Sequence, residues 1–140
     1  MWKLFIVMLS IVYSVLILQT EATTTDEMFY VCEAGDPRFL GQYVGSKEQI
    51  DNVTVYYNDK DMALYRNNGF WYLGNLIPWP PETHYRCVSE SGCNYRQDKP
   101  PSTRDGKWTA AVKWGKEPPP VITLEPCSEK AASTLANEEL

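Results

Sequence analysis

The chain has 140 residues, a formal net charge of −5 and an aromatic content of 13 %, with a single histidine. This acidic balance provides no basic footprint, so we expect no nucleic-acid partner. One histidine and carboxylates scattered among predicted turns form neither a catalytic set nor a group of ligands at metal-binding spacing. We therefore expect no enzyme, no cofactor and no metal.

The chain opens with an apolar leader. Lys3 precedes the apolar run Leu4–Leu18, and the small residue Ala22 suits a cleavage site. A charged start, an apolar core and small residues before the cut are typical of a secretory signal peptide. The run is short for a membrane span, which takes roughly 20 residues, and a signal anchor is the alternative. We expect residues 1–22 to be removed, leaving a secreted, extracellular protein with no membrane partner.

Four cysteines follow the leader, namely Cys32, Cys87, Cys93 and Cys127. In an exported chain of this size they favour two disulfides, for which several connectivities are possible. We prefer the pair Cys32–Cys127, which would tie the ends of the domain together. The second pair, Cys87–Cys93, would then close a short loop. The alternative is the crossed pairing, in which Cys32 bonds Cys87 and Cys93 bonds Cys127.

The distribution of aromatic residues predicts where the folded domain lies. After the leader, every aromatic residue falls between Phe29 and Trp114. We expect one disulfide-stapled β domain, residues 32–127, preceded by an N-terminal tail, residues 23–31. A flexible acidic C-terminal tail, residues 128–140, follows it. Much of the negative charge falls in these tails, so the domain itself is nearly neutral.

The domain has the pattern of a β protein. In chain order, the predicted strands are Gln42–Val44, Val53–Tyr57, Met62–Arg66, Phe70–Leu73, Thr83–Val88 and Trp108–Trp114. Runs of β-branched and aromatic residues favour strands, and Asn68–Gly69 is a strong hairpin signal. The last strand alternates, with Trp108, Val112 and Trp114 on one face. We predict an all-β fold, a small antiparallel meander or sandwich stapled by two disulfides.

The tryptophans and one tyrosine are the candidate binding residues. Trp71 and Tyr72 are neighbours on one strand, so their rings point to opposite faces and one must leave the main core. Pro80 and Pro81 follow Trp79 and keep it out of a regular sheet. Trp71, Tyr72, Trp79 and Trp108 are the candidates for a binding surface. For the set as a whole we favour packing in the core, as aromatic residues of small secreted modules commonly do.

Two further polar residues carry specific expectations. Asn52 begins the triplet Asn52–Thr54, which matches the acceptor pattern for N-glycosylation. We expect Asn52 to be glycosylated in the exported protein. His84 falls within a predicted strand, where we expect a cross-strand partner or a surface residue rather than a catalytic group.

A resemblance is visible in four segments, Gly41–Tyr43, Val55–Asn58, Leu64–Arg66 and Gly69–Gly74. Their succession of hairpins ending in an aromatic strand and glycine resembles small secreted Trp- and Tyr-rich β modules of marine invertebrates. Among these modules are proteins of the molluscan shell organic matrix. The resemblance implies extracellular residence and a structural or matrix-binding part, with no catalytic residues.

Two functions are therefore expected from the sequence. The first is a secreted, non-catalytic structural or interaction module of an extracellular organic matrix, of the biomineral, shell type. The second is a secreted carbohydrate- or protein-binding module that uses exposed tryptophans. Both imply an extracellular matrix protein or a polysaccharide as the partner.

Overall fold

The computed structural model describes residues 27–104 and 106–128. The predicted signal peptide, residues 1–22, and residues 129–140 of the predicted C-terminal tail lie outside the described part. No helix among the described residues is long and apolar enough to cross a membrane.

One curled, antiparallel sheet of eight strands makes up the fold, and the predicted all-β class is confirmed. The strands are β1 (Met28–Glu33), β2 (Gly41–Ile50), β3 (Val53–Tyr57), β4 (Ala63–Asn67), β5 (Phe70–Asn75), β6 (Glu82–Cys87), β7 (Thr109–Ala110) and β8 (Val121–Thr123). Their spatial order is β7-β6-β5-β4-β3-β2-β1-β8, so β1 to β7 form a meander and β8 returns beside β1.

Two tight turns set the register of the central strands. Between β2 and β3, Asp51 and Asn52 have φ values of 56° and 62°. Between β4 and β5, Asn68 and Gly69 have φ values of 49° and 84°, at the predicted hairpin. Asn, Asp and Gly tolerate this left-handed region best, and two such residues in succession suit the twist of a two-residue hairpin.

The inner face of the sheet carries the main core. Its largest buried side chains are Trp71, Trp108, Tyr43, Tyr85 and Phe29. Because successive side chains of a strand point to opposite faces, a smaller cluster forms on the outer face. Val55, Ala63 and Tyr65 are buried there.

Both disulfides have the preferred nested pairing. Cys32 bonds Cys127 across 95 residues, with the Cα atoms 5.4 Å apart. Cys87 bonds Cys93 across 6 residues, with the Cα atoms 5.6 Å apart. Gly106 packs against the second bridge, where a Cβ atom would lie 2.6 Å from Cys93 Sγ and 2.8 Å from Cys87 Sγ. The outer bridge joins β1 to the chain just beyond β8.

The predicted N-terminal tail requires a correction. Its residues 28–31 form most of β1, which pairs with β2 on one side and β8 on the other. Phe29 and Val31 are buried in the main core. The apolar run Met28–Cys32 is short and flanked by Glu27 and Glu33, and the strand is stabilised by partners on both sides.

The predicted strand Trp108–Trp114 is also shorter than expected. Only Thr109–Ala110 pairs with β6. The chain then turns, because the amide of Gly115 donates to Ala111 O at 2.8 Å. The alternation of Val112 and Trp114 therefore does not place them on a buried face. β8, which follows three prolines, was not predicted.

Candidate binding surface

The connections between the strands fall at two ends of the sheet, which carry different side chains. We call one the Trp79 end, formed by the connections 34–40, 58–62, 76–81 and 111–120. We call the other the Arg66 end, formed by the connections 51–52, 68–69 and 88–108. In an antiparallel meander alternate connections share an end, so this grouping follows from the strand order.

The connection 76–81 presents the most exposed tryptophan among the described residues. The Trp79 side chain is 91 % exposed and Ile77, two residues earlier, is 77 % exposed. The loop begins with a polar turn, in which the amide of Ile77 donates to Asn75 Oδ1 at 3.1 Å. Pro80 and Pro81 then follow, and neither can donate a ladder hydrogen bond. The loop therefore holds Trp79 outside the sheet, as the sequence predicted.

A second apolar loop lies at the same end. Val112 is 99 % exposed and Trp114 is 40 % exposed. Lys113 Nζ lies 4.9 Å from the centre of the Trp114 ring, a cation–π contact. The amide of Ala111 donates to His84 O at 2.9 Å, which holds this loop beside the start of β6. Sequence reasoning missed this surface, although Gly115 is the breaker that marks its end.

Beneath Trp114 lies the single histidine of the chain. The β5–β6 register passes from the pair Leu73–Tyr85 to the pair Gly74–Thr83, so His84 is the extra residue of a β-bulge. Its side chain is 2 % exposed.

Rings pack against the imidazole on two sides. The centre of the Phe39 ring is 4.8 Å from that of His84, and the centre of the Trp114 ring is 6.4 Å away. The expectation of a cross-strand or surface residue was wrong, because the bulge removes the strand partner and packs the ring among aromatic neighbours.

Charged groups flank the buried imidazole. Asp36 Oδ2 lies 3.7 Å from His84 Nδ1, and Glu82 Oε2 lies 3.5 Å from Nε2. Arg38 donates to Asp36 through Nη2 at 2.7 Å and through its backbone amide at 3.1 Å. The hydrogen bond from the Arg38 side chain holds the pKa of Asp36 below its usual range. Nδ1 of His84 has no hydrogen-bond partner.

The tyrosine next to this histidine ties two connections of the Trp79 end together. The Tyr85 hydroxyl accepts from the Asp36 amide at 2.9 Å and donates to Lys116 O at 2.9 Å. Desolvation by burial raises the pKa of Tyr85. The hydroxyl therefore stays a neutral donor and acceptor at physiological pH and joins the connections 34–40 and 111–120.

Two of the candidate binding residues are buried and take no part in an exposed surface. Trp71 and Trp108 are each 1 % exposed. The Trp71 indole donates to Gln97 O at 2.8 Å, and the Trp108 indole donates to Pro101 O at 3.0 Å. Both follow the favoured core packing, and each indole N–H finds a backbone acceptor in the connection 88–108.

Tyr72, the remaining predicted binding residue, lies on the outer face of the sheet. Its ring is half-buried and stacks on Tyr65, with ring centres 5.7 Å apart. Burial raises the pKa of Tyr72. Tyr72 and Trp79 therefore belong to different surfaces. Of the four candidate binding residues, Trp79 is the one that combines high exposure with a loop position.

The predicted glycosylation site lies at the opposite end from Trp79. Asn52 is exposed in the β2–β3 turn. Beside it, Asp51 accepts from Arg66 Nε at 2.9 Å and from the Gly69 amide at 2.8 Å, which fixes the turn. A glycan on Asn52 would project from the Arg66 end and leave the Trp79 end uncovered. Its occupancy stays a prediction.

The described residues contain no group of three or more His, Cys, Asp or Glu side chains placed to hold a metal ion. The candidate surface at the Trp79 end consists of apolar loop side chains above a buried histidine and its carboxylates.

Comparisons of the chain with protein-family models, with curated proteins and with solved structures find no match.

Proposed function

We propose that the protein is a secreted, non-catalytic interaction module that attaches to an extracellular matrix protein or polysaccharide through the Trp79 end. The observation that supports this function best is the Trp79 indole, 91 % exposed in a loop rich in proline. A role as a structural part of a shell-type organic matrix is one form of the same attachment.

An indole exposed to water is free-energetically unfavourable until a partner covers it. An exposed large apolar side chain gains little in the free protein, whereas covering it on binding is favourable. Aromatic residues are enriched among the few positions that carry most of an interface's energy. Neighbouring prolines restrict the loop beforehand, so less conformational entropy is lost on binding. Trp79 has both properties.

The difference between the buried tryptophans and Trp79 supports the same proposal. Trp71 and Trp108 fill the core and satisfy their indole N–H groups with backbone carbonyls. Ile77 and Val112 extend the apolar character of the Trp79 end over two loops. Covering these side chains with a partner would remove further apolar surface from water, which favours binding.

The test is a retention experiment with the full secreted chain. Wild type and Trp79→Ala are passed over chitin, over other immobilised polysaccharides and over a matrix extract, and their thermal unfolding is compared. We expect Trp79→Ala to unfold like the wild type and to lose retention, because a central aromatic anchor contributes about 2 kcal/mol or more. Trp79→Phe, which keeps a ring, should retain part of the binding.

The matched control is Tyr95→Ala, since Tyr95 is 62 % exposed and lies at the Arg66 end. This variant should bind like the wild type. Equal retention of Trp79→Ala and wild type would exclude the proposed surface. Specific elution by a free polysaccharide would identify recognition of that polysaccharide, whereas persistence in insoluble matrix would identify a structural role.

A further inference from the structure

His84 is the point where charged groups from three parts of the Trp79 end meet. Asp36 and Arg38 come from the connection 34–40, Glu82 begins β6, and Lys113 and Lys116 belong to the connection 111–120. Tyr85, the neighbouring residue, bonds both connections.

The ring nitrogens of His84 are incompletely bonded within this cluster. Nδ1 of His84 has no hydrogen-bond partner, although Asp36 Oδ2 is 3.7 Å away. Nε2 lies 3.5 Å from Glu82 Oε2, at the upper limit of a hydrogen bond. Charge-assisted bonds between N–H groups and carboxylates are roughly 2.7 to 2.9 Å long. Both separations exceed this range. Each would shorten if the ring nitrogen that faces the carboxylate carried a proton.

We propose that protonation of His84 rearranges the Trp79 end, so that acidification regulates attachment through Trp79. A protonated imidazole has two N–H donors, and each faces a carboxylate. Histidine is the side chain that ordinarily changes charge between about pH 5 and pH 8. The regulatory consequence rests on the proposed function, whereas the rearrangement itself does not.

Charged groups on three elements surround the imidazole. Asp36 and Arg38 are joined by several hydrogen bonds and together are close to neutral. The carboxylate of Glu82 then supplies net negative charge beside the ring. Lys113 and Lys116 oppose it, but both are exposed, where solvent and salt weaken their effect.

The rearrangement reaches the surface through two contacts. Glu82 directly follows Pro81 and ends the loop that carries Trp79. Closing its gap to Nε2 would bring the Glu82 carboxylate and the ring nearer by roughly 0.7 Å, to the length of a charge-assisted bond, at the end of that loop. Trp114 packs on the imidazole itself. Asp36 is held by Arg38, so the movement falls on the ring and on Glu82.

NMR of the full secreted chain tests this inference without any ligand. His84 is the single histidine, so its ring signals need no assignment. Between pH 8 and pH 5 we expect the indole N–H signals of Trp79 and Trp114 to shift with the same midpoint as the His84 ring. The indole signals of Trp71 and Trp108, which are bonded to backbone carbonyls, should stay in place and serve as internal controls.

Two variants complete the test. His84→Gln should abolish the shifts of both indole signals, and Glu82→Gln, which keeps the histidine, should abolish that of Trp79. The inference is overturned if the His84 ring does not titrate in this range, or if it titrates while Trp79 and Trp114 stay still. It is also overturned if the Trp79 shift persists in Glu82→Gln. A coupled titration without retention on any matrix would instead contradict the proposed function alone.

Discussion

The two ends of the sheet differ in what their connections present: buried polar bonds at one end and exposed apolar side chains at the other. At the Arg66 end, polar bonds fasten the connections to one another: Arg66 is buried and donates to Asp51 Oδ2 at 2.9 Å, to Asp51 O at 2.7 Å and to Gln97 O at 3.2 Å. At the Trp79 end, Trp79 and Val112 are almost fully exposed on two loops.

The difference shows that the same residue type serves two purposes in one small domain. Trp71 lies where a connection folds back over the core and supplies a carbonyl for its indole. Trp79 lies between prolines that cannot join a sheet, and its loop does not cover it. What surrounds a tryptophan therefore decides whether it stabilises the fold or is available to a partner. Changes at buried residues of the Arg66 end should mainly alter stability, and changes at the exposed loop residues of the Trp79 end should mainly alter binding.

The largest effect is expected for Trp71→Ala. Removing this buried indole creates a cavity and takes away one of the two donors to Gln97 O, the other being Arg66, so the free energy of unfolding should fall by about 4 kcal/mol. Urea unfolding followed by circular dichroism measures the loss. Trp71→Phe keeps most of the ring and should lose less. A loss below about 1 kcal/mol for the alanine variant would contradict the expectation that buried residues of the Arg66 end stabilise the fold.

Gly106→Ala should have the next largest effect. The new methyl group would lie within 3 Å of both sulfur atoms of the Cys87–Cys93 bridge, and overpacking of this kind costs about 2 kcal/mol. Gly92→Ala is the control, because Gly92 has a φ of 78° and open space around it. Its backbone strain alone should cost about 1 kcal/mol. Equal unfolding temperatures for the two variants would contradict the close packing of Gly106.

An acid titration should locate the charged pair at the Trp79 end. Arg38 lowers the pKa of Asp36 below the ordinary value of 3.8, so the folded state holds this carboxylate ionised more strongly than the unfolded state does. The stability that this pair contributes is fully present above about pH 4 and is lost as the pH falls through the lowered pKa. Thermal unfolding between pH 5 and pH 2 measures it.

Asp36→Asn should remove this part of the acid sensitivity and lower stability at neutral pH. Asp59→Asn is the control, since the Asp59 side chain is 81 % exposed. If Asp36→Asn and the wild type lose stability equally between pH 4 and pH 2, the pair with Arg38 does not contribute.

The smallest effect on stability is expected for Trp79→Ala. With 91 % of the side chain exposed, its removal should change the free energy of unfolding by less than about 0.5 kcal/mol. Differential scanning calorimetry beside Trp71→Ala makes the comparison direct. A loss near that of Trp71→Ala would show that Trp79 covers the core, and the distinction between the two ends would fail.

Much of the sheet could be predicted from local patterns. β3 to β6 coincide with predicted strands to within a residue or two, because runs of β-branched and aromatic residues alternate with turn chemistry at Asn68–Gly69. β8 was missed because it spans only three residues. β1 was missed because most of it precedes Cys32, where the domain was expected to begin. The apparent strand Trp108–Trp114 was overextended, since alternation over a few residues also occurs by chance in a turn.

The candidate site was only partly predictable. The proline context identified Trp79, because prolines exclude a segment from a sheet whatever surrounds it. The burial of Trp71 and of Trp108 could not be assigned residue by residue from the sequence, since it depends on the connection 88–108 folding over the inner face. The burial of His84 was not readable either, because a bulge is a mismatch between two strands and not a property of one.

By itself the sequence determined the all-β class, the hairpin at Asn68–Gly69 and the exclusion of Trp79 from the sheet, because each depends on the backbone preferences of adjacent residues. The tertiary structure decided which cysteines pair, which tryptophans are buried and what faces His84. Most of those outcomes join residues far apart in the chain, such as Cys32 with Cys127 and Asp36 with His84, which only the tertiary structure brings within contact distance.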